Sequence, residues 1–152
     1  MHNYEAIGLP APQRSYGRLN TALLSVRSTI AESQAWDIFA HMRYVAHPIP
    51  DAYLYTVTMI AACASRVIAP QPACALDLFT KMTVDKRIAL TTAAYTAAIY
   101  ACSCSGEKRY VGEVFRLARE MLDGHRDAYE QPALVPDRRT FCALLEIGRA
   151  HV

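Results

Sequence analysis

The sequence predicts an all-α fold in which helix-turn-helix units stack on one another, and three observations carry that prediction. An octapeptide recurs as Ala35-Trp36-Asp37-Ile38-Phe39-Ala40-His41-Met42, Ala75-Leu76-Asp77-Leu78-Phe79-Thr80-Lys81-Met82 and Val114-Phe115-Arg116-Leu117-Ala118-Arg119-Glu120-Met121. Its methionines return at nearly equal intervals, with large apolar residues at matching offsets, Trp36/Leu76/Phe115 and Ile38/Leu78/Leu117. A period of this length marks a repeat architecture, because one unit cannot bury its own apolar face and must stack on a neighbour. Finally, all eight prolines fall outside the segments that read as helices or at their very start, as a residue without an amide donor must.

Taken in order, residues 1–15 hold Gly8, Pro10 and Pro12 without periodicity and read as an irregular lead-in. A first helix is expected from about Tyr16 to Thr29, with Leu19, Leu23, Leu24 and Val26 apolar. The next, about Ala31 to Ala46, places Ala35, Ile38, Phe39 and Met42 on one face. His47-Pro48-Ile49-Pro50 stops it. Asp51 is placed to cap a helix from Ala52 to about Arg66, which is apolar around most of its circumference and so reads as an inner helix. Pro70 and Pro72 open a helix from about Gln71 to Lys86.

Thr92 to Ser105 follows as an Ala-rich helix whose small side chains allow close approach, ended by Ser105-Gly106. The segment from about Glu107 to Asp123 has Val114, Leu117, Ala118, Met121 and Leu122 as its buried face. A longer loop leads to Asp137, which is placed to cap a last helix from Arg138 to about Ala150. With no helix after it, Phe141, Leu144, Leu145 and Ile147 are expected to be half covered. The pattern reads as a piece of a longer array or an abbreviated product, with self-association through the open end as the competing reading.

Composition bounds the function. Apolar residues make up 53% of the chain and charged residues 20%, which excludes disorder as the default. The net charge of +2 permits a nucleic-acid partner without arguing for one. Five cysteines without CxxC spacing read as small reduced core residues, not a zinc or redox site. The five histidines are scattered, and neither a Gly-rich phosphate loop nor a catalytic constellation is present, so enzyme activity, metal and cofactor are not expected. The uncharged run from Ile88 to Ser105 is rich in Thr, Ser and Ala and reads as a buried helix, not a membrane span. No secretory or mitochondrial leader is visible.

The chain from Tyr16 to Ala150 resembles the pentatricopeptide repeat. Tyr55-Thr56-Val57-Thr58-Met59-Ile60 is similar to the family's first-helix Tyr-Asn-x-x-Ile. The recurring octapeptide is similar to its second-helix Ala-Leu-x-Leu-Phe-x-x-Met, and Ile49-Pro50-Asp51 and Val135-Pro136-Asp137 to its Pro-Asp linker. Leu19-Asn20-Thr21-Ala22-Leu23-Leu24 fits a first unit, and Arg138-Arg139-Thr140-Phe141-Cys142 the opening of a fourth. The units are about 16–51, 52–91 and 92–137, with a partial 138–152. The match is not uniform, because the intervals from Tyr55 to Met82 and from Tyr95 to Met121 are slightly longer than that from Leu19 to Met42. The rival tetratricopeptide repeat fits less well, since its Trp…Leu-Gly…Tyr first helix is missing.

The resemblance implies a right-handed α-solenoid of tetratricopeptide-like superhelical form, and sequence-selective binding of single-stranded RNA at about one base per unit. The family's base-reading residues fall on Asn20 with Asp51, Thr56 with Thr91, and Thr96 with Asp137. Asn with Asp implies uracil and Thr with Asp implies guanine. Arg138 and Arg139, just before the last inner helix, are placed for phosphate contacts. The same resemblance implies a mitochondrial location and a role in processing, stability or translation of organellar transcripts. The plainer reading of Asp51 and Asp137 as helix caps, and of Thr56 and Thr96 as bonded to a preceding carbonyl, stands beside it. So does the alternative of a protein-interaction scaffold, such as a subunit of a mitochondrial ribosome assembly, favoured by the weak charge and Ala-rich inner helices.

Overall fold

A computed structural model describes residues 10–26, 28–47, 51–64, 71–85, 88–124 and 133–150. Among these residues the chain is all-helical, with seven α-helices and no strand: α1 (Gln13–Ser25), α2 (Thr29–His41), α3 (Ala52–Ala64), α4 (Pro72–Val84), α5 (Thr92–Cys104), α6 (Lys108–Asp123) and α7 (Arg138–Ala150). The odd-numbered helices pack in series, α1 on α3, α3 on α5 and α5 on α7. Each of the first three also packs against the helix that follows it, α1 on α2, α3 on α4 and α5 on α6, and α4 reaches α5 of the next pair. The core runs through these contacts, and Met42, Met82 and Met121 of the recurring octapeptide are all sealed in it.

Most helix starts fall where caps and prolines put them. Asp51 Oδ1 accepts the Leu54 amide at 3.0 Å, Thr91 Oγ1 the Ala94 amide at 3.2 Å and Asp137 Oδ1 the Thr140 amide at 2.9 Å. Each satisfies one of the orphan donors of a first turn. Pro72 opens α4 as its first residue. Two helices depart from expectation. The first helix begins at Gln13, not Tyr16, because Pro12 occupies the cap position and its fixed φ of −57° leads directly into the first turn. It ends at Ser25, short of the expected Thr29, leaving Val26 exposed, and Ser28 caps α2. The second helix does not run as α-helix to Ala46: Met42–Ala46 form a wider π-helical turn closed by His47 N–H to Met42 O at 2.8 Å. That turn carries Arg43, whose Nε donates to the Tyr55 hydroxyl at 2.6 Å and whose guanidinium lies 3.5 Å from Asp85, joining α2, α3 and the end of α4. The expected lead-in over residues 1–9, the Pro48-Ile49-Pro50 stop and the loop over 125–132 lie outside the described residues.

Counting from the first residue of each odd-numbered helix exposes the repeat. The fourth residues are Tyr16, Tyr55, Tyr95 and Phe141, and the eighth are Asn20, Met59, Ile99 and Leu145. In α1, α3 and α5 both positions are buried, with exposures of 4, 0 and 2% for the tyrosines. Tyr55 meets Phe39 edge-on at 5.5 Å and Tyr95 meets Phe79 at 4.9 Å, so a phenylalanine of one pair seals the tyrosine of the next. In α7 the same two positions are open, with Phe141 at 58% and Leu145 at 72%. Leu122, expected on the buried face of α6, is exposed, and Phe115 is exposed although its counterparts Trp36 and Leu76 pack on the core.

Candidate functional site

The fifth residue of each odd-numbered helix follows the buried aromatic, and these positions hold Gly17, Thr56, Thr96 and Cys142. Thr56, Thr96 and Cys142 line one groove of about 490 Å³ that crosses α3, α5 and α7, together with Asp137, Arg138 and Arg139. Five of the eight sequence-predicted residues therefore meet at one place: Thr56, Thr96, Asp137, Arg138 and Arg139. The floor is apolar, from Ile60 of α3 and Ala93 and Ala97 of α5, and Tyr100 adds an aromatic ring. A second groove, of about 360 Å³, between α1 and α3 is lined by Thr21, Ser25, Tyr53 and the same Ile60.

Thr96 and Asp137 are linked through a residue that sequence reasoning missed. Thr140 is almost wholly buried, and its hydroxyl lies 2.7 Å from that of Thr96 and 3.0 Å from Asp137 Oδ1. Because the Thr140 proton goes to the carboxylate, Thr96 donates to Thr140, giving the chain Thr96→Thr140→Asp137. The Asp137 amide in turn donates to Thr140 Oγ1 at 3.2 Å, which closes a reciprocal cap. The Thr140 amide above all holds the Asp137 carboxyl below its ordinary 3.8, with the Thr140 hydroxyl and Arg139 adding to the effect. Asp137 is therefore an exposed anion at neutral pH beside two arginines. The Asp-x-x-Thr spacing is the signal in the sequence that could have found Thr140.

The other predicted residues are placed elsewhere. Asn20 is 1% exposed and its amide donates to the Thr58 hydroxyl across the α1–α3 contact at 3.3 Å, while its Oδ1 is buried without a partner among the described residues. Asn20 occupies the column of Met59 and Ile99, and the place equivalent to Thr56 is held by Gly17, which has no polar group to offer. Asp51 and Thr91 are caps that do not line the groove. Thr56 is mostly buried and donates to the Ala52 carbonyl at 2.8 Å, leaving its oxygen lone pairs as what it can present. Arg138 and Arg139 are exposed at the start of α7 and make no ion pair with described residues. On α6, by contrast, Arg116 is bonded to Glu113 and Glu120 and Arg109 to Glu107, so much of that helix's basic charge is already matched.

Burial pushes the Cys63 and Cys102 thiols up to about 12, which makes them inert core groups, whereas Cys142 is exposed on the groove. Among the described residues no cluster of His, Cys, Asp or Glu could hold a metal ion, and no helix is long and apolar enough to cross a membrane. The class defined so far is an all-helical protein of serially packed helix pairs with a groove across α3, α5 and α7. No protein-family model, curated protein or solved structure compared with the chain matches it.

Proposed function

We propose that the chain is a pentatricopeptide-type α-solenoid that binds single-stranded RNA in the groove across α3, α5 and α7. The observation that carries this reading is the convergence of Thr56, Thr96, Asp137, Arg138 and Arg139 on that groove. Thr96 and Asp137, coupled through Thr140, offer a hydroxyl and a carboxylate to one base edge. Arg138 and Arg139 neutralise the adjoining phosphates, and Tyr100 and Ile60 supply the flat apolar surface on which bases stack. The unit ending at Asp137 is the base-reading one. The unit of Thr56 and Thr91 contributes packing more than readout, and the first unit, with Gly17 in the reading place, none. By the resemblance, the targets are organellar transcripts and the setting is the mitochondrion.

The alternative of a protein scaffold is favoured by one feature, the largely apolar groove floor of Ile60, Ala93 and Ala97. Fluorescence anisotropy with a short single-stranded RNA pool, against matched DNA and duplex RNA, separates the two. RNA-preferring saturable binding is expected, with Thr96→Ala relaxing base preference at one position by about 1–3 kcal/mol. Absence of binding at low salt by folded protein sinks the RNA reading.

A further inference from the structure

We infer, on the basis of the proposed RNA reading of the groove, that Thr140 is the positioning residue behind base selection there. It holds the Thr96 hydroxyl and the Asp137 carboxylate as a pair of acceptors, and that pair takes a base edge with two adjacent donors. Thr140 is the third residue of α7, and the third residues of α3 and α5 are Leu54 and Ala94, all three buried. Those two helices are capped at the same amide, Asp51 to Leu54 and Thr91 to Ala94, with no hydroxyl on the residue that donates it. Neither the packing at this position nor the cap therefore calls for the Thr140 hydroxyl. A buried hydroxyl costs free energy unless it is bonded. This one is bonded to its full capacity: it donates to Asp137 Oδ1 and accepts from the Asp137 amide and from Thr96.

The consequence falls on the groove. Thr96 spends its only hydroxyl proton on Thr140, so what it can offer a ligand is its oxygen lone pairs. Asp137 is an anion and can only accept. Thr56, one helix back, shows what happens without a Thr140. The place equivalent to Thr140 in α5 is Ala94, and the Thr56 hydroxyl turns back onto the Ala52 carbonyl four residues earlier. A Thr-to-Asp link thus exists only where Thr140 makes it. Two adjacent acceptors match guanine, whose N1–H and N2–H2 are neighbouring donors. Adenine, cytosine and uracil each set an acceptor beside the donor on that edge and are disfavoured. Guanine is what the resemblance implies for Thr with Asp; the dependence on Thr140 comes from the hydrogen bonds.

The test is anisotropy with short labelled oligouridylates, plain or carrying a single guanosine, inosine or adenosine at the centre. Each is titrated with the full chain and with its Thr140→Val, Thr140→Ala and Thr140→Ser variants. Wild type is expected to prefer guanosine over uridine and adenosine by about tenfold, with inosine, which lacks the N2 amino group, several-fold weaker than guanosine. Thr140→Val and Thr140→Ala are expected to bring the four oligonucleotides to near parity, because Thr96 turns back onto its own helix. Thr140→Ser is expected to keep the wild-type order. Leu54 and Ala94 show that an apolar side chain fits this position, and circular dichroism checks that the variants are folded. A merely structural Thr140 lowers affinity for all four together and leaves their ratios unchanged, which overturns the proposal. Inosine bound as tightly as guanosine by wild type overturns it without any variant. Both results leave RNA binding itself standing, whereas folded wild type that binds none of the oligonucleotides removes the RNA reading and the proposal with it.

Discussion

Ile99 and Leu145 stand at the same position of two equivalent helices, yet truncating them should have opposite consequences. Ile99 is fully buried in α5 against the helix that pairs with it, whereas Leu145 of α7 is open. Ile99→Ala removes three carbons, about 2.4 kcal/mol of transfer free energy at roughly 0.8 per carbon, and leaves a cavity whose cost brings the total to about 2–5 kcal/mol. Against a total stability of about 5–15 kcal/mol for a domain, that is a large loss, equivalent to a fall of about 4–20 °C in Tm. Leu145→Ala exchanges a solvent-facing side chain for the best helix former and should stay within about 0.5 kcal/mol. Urea unfolding followed by circular dichroism measures both. An Ile99→Ala loss as small as that of an ordinary surface substitution, or a Leu145→Ala loss as large as that of a core truncation, would refute the register that pairs these helices.

Three further outcomes follow from single contacts. Asn20→Ala should lower stability by about 1–3 kcal/mol, because it strips the buried Thr58 hydroxyl of its donor, and should leave base preference unchanged; a changed base preference at unaltered stability contradicts the burial of Asn20. The Asp137 carboxyl has a depressed folded-state value, so its cap contributes above the ordinary carboxylate range and fades as pH falls through that folded value. Asp137→Asn should therefore flatten the fall in stability below about pH 4, and an unaltered acid limb in the melting curves would count against the cap. With a chromogenic disulfide reagent, Cys142 should react first and Cys63 and Cys102 only on unfolding, as mass spectrometry of labelled peptides would show.

The helices are legible from punctuation: Asp51, Pro72, Thr91 and Asp137 all act at helix starts. The first unit is misregistered because Leu19-Asn20 imitates an aromatic followed by a polar reader. A better signal is the interval from Tyr16 to Met42, which equals that from Tyr95 to Met121 and nearly matches that from Tyr55 to Met82. Pro12 conceals it, since a cap position without a hydrogen-bonding side chain does not announce a helix. Phe115 follows the motif and Leu122 the expected apolar face of α6, yet both are exposed, because periodicity specifies which face a residue occupies and not whether a neighbour covers it. The groove is half legible. Thr96, Asp137, Arg138 and Arg139 line one groove, a grouping that only the family resemblance implied; the Asp137–Thr140 cap is written in the local Asp-x-x-Thr spacing, but the Thr96–Thr140 contact and the place of Tyr100 depend on how α5 and α7 pack, which no single helix encodes.

The direct test of RNA binding in this groove is the salt dependence of affinity for a short single-stranded RNA, compared between the wild-type chain and an Arg138→Ala/Arg139→Ala variant. Each phosphate contact to a single strand contributes about 0.7 to the slope of log K against log salt. If both arginines sit on phosphates, the variant's slope is shallower by about 1.4 and its affinity at low salt is lower for every sequence tested. A slope that is the same in both proteins contradicts this placement, and an undetectable interaction in the wild type contradicts the function itself.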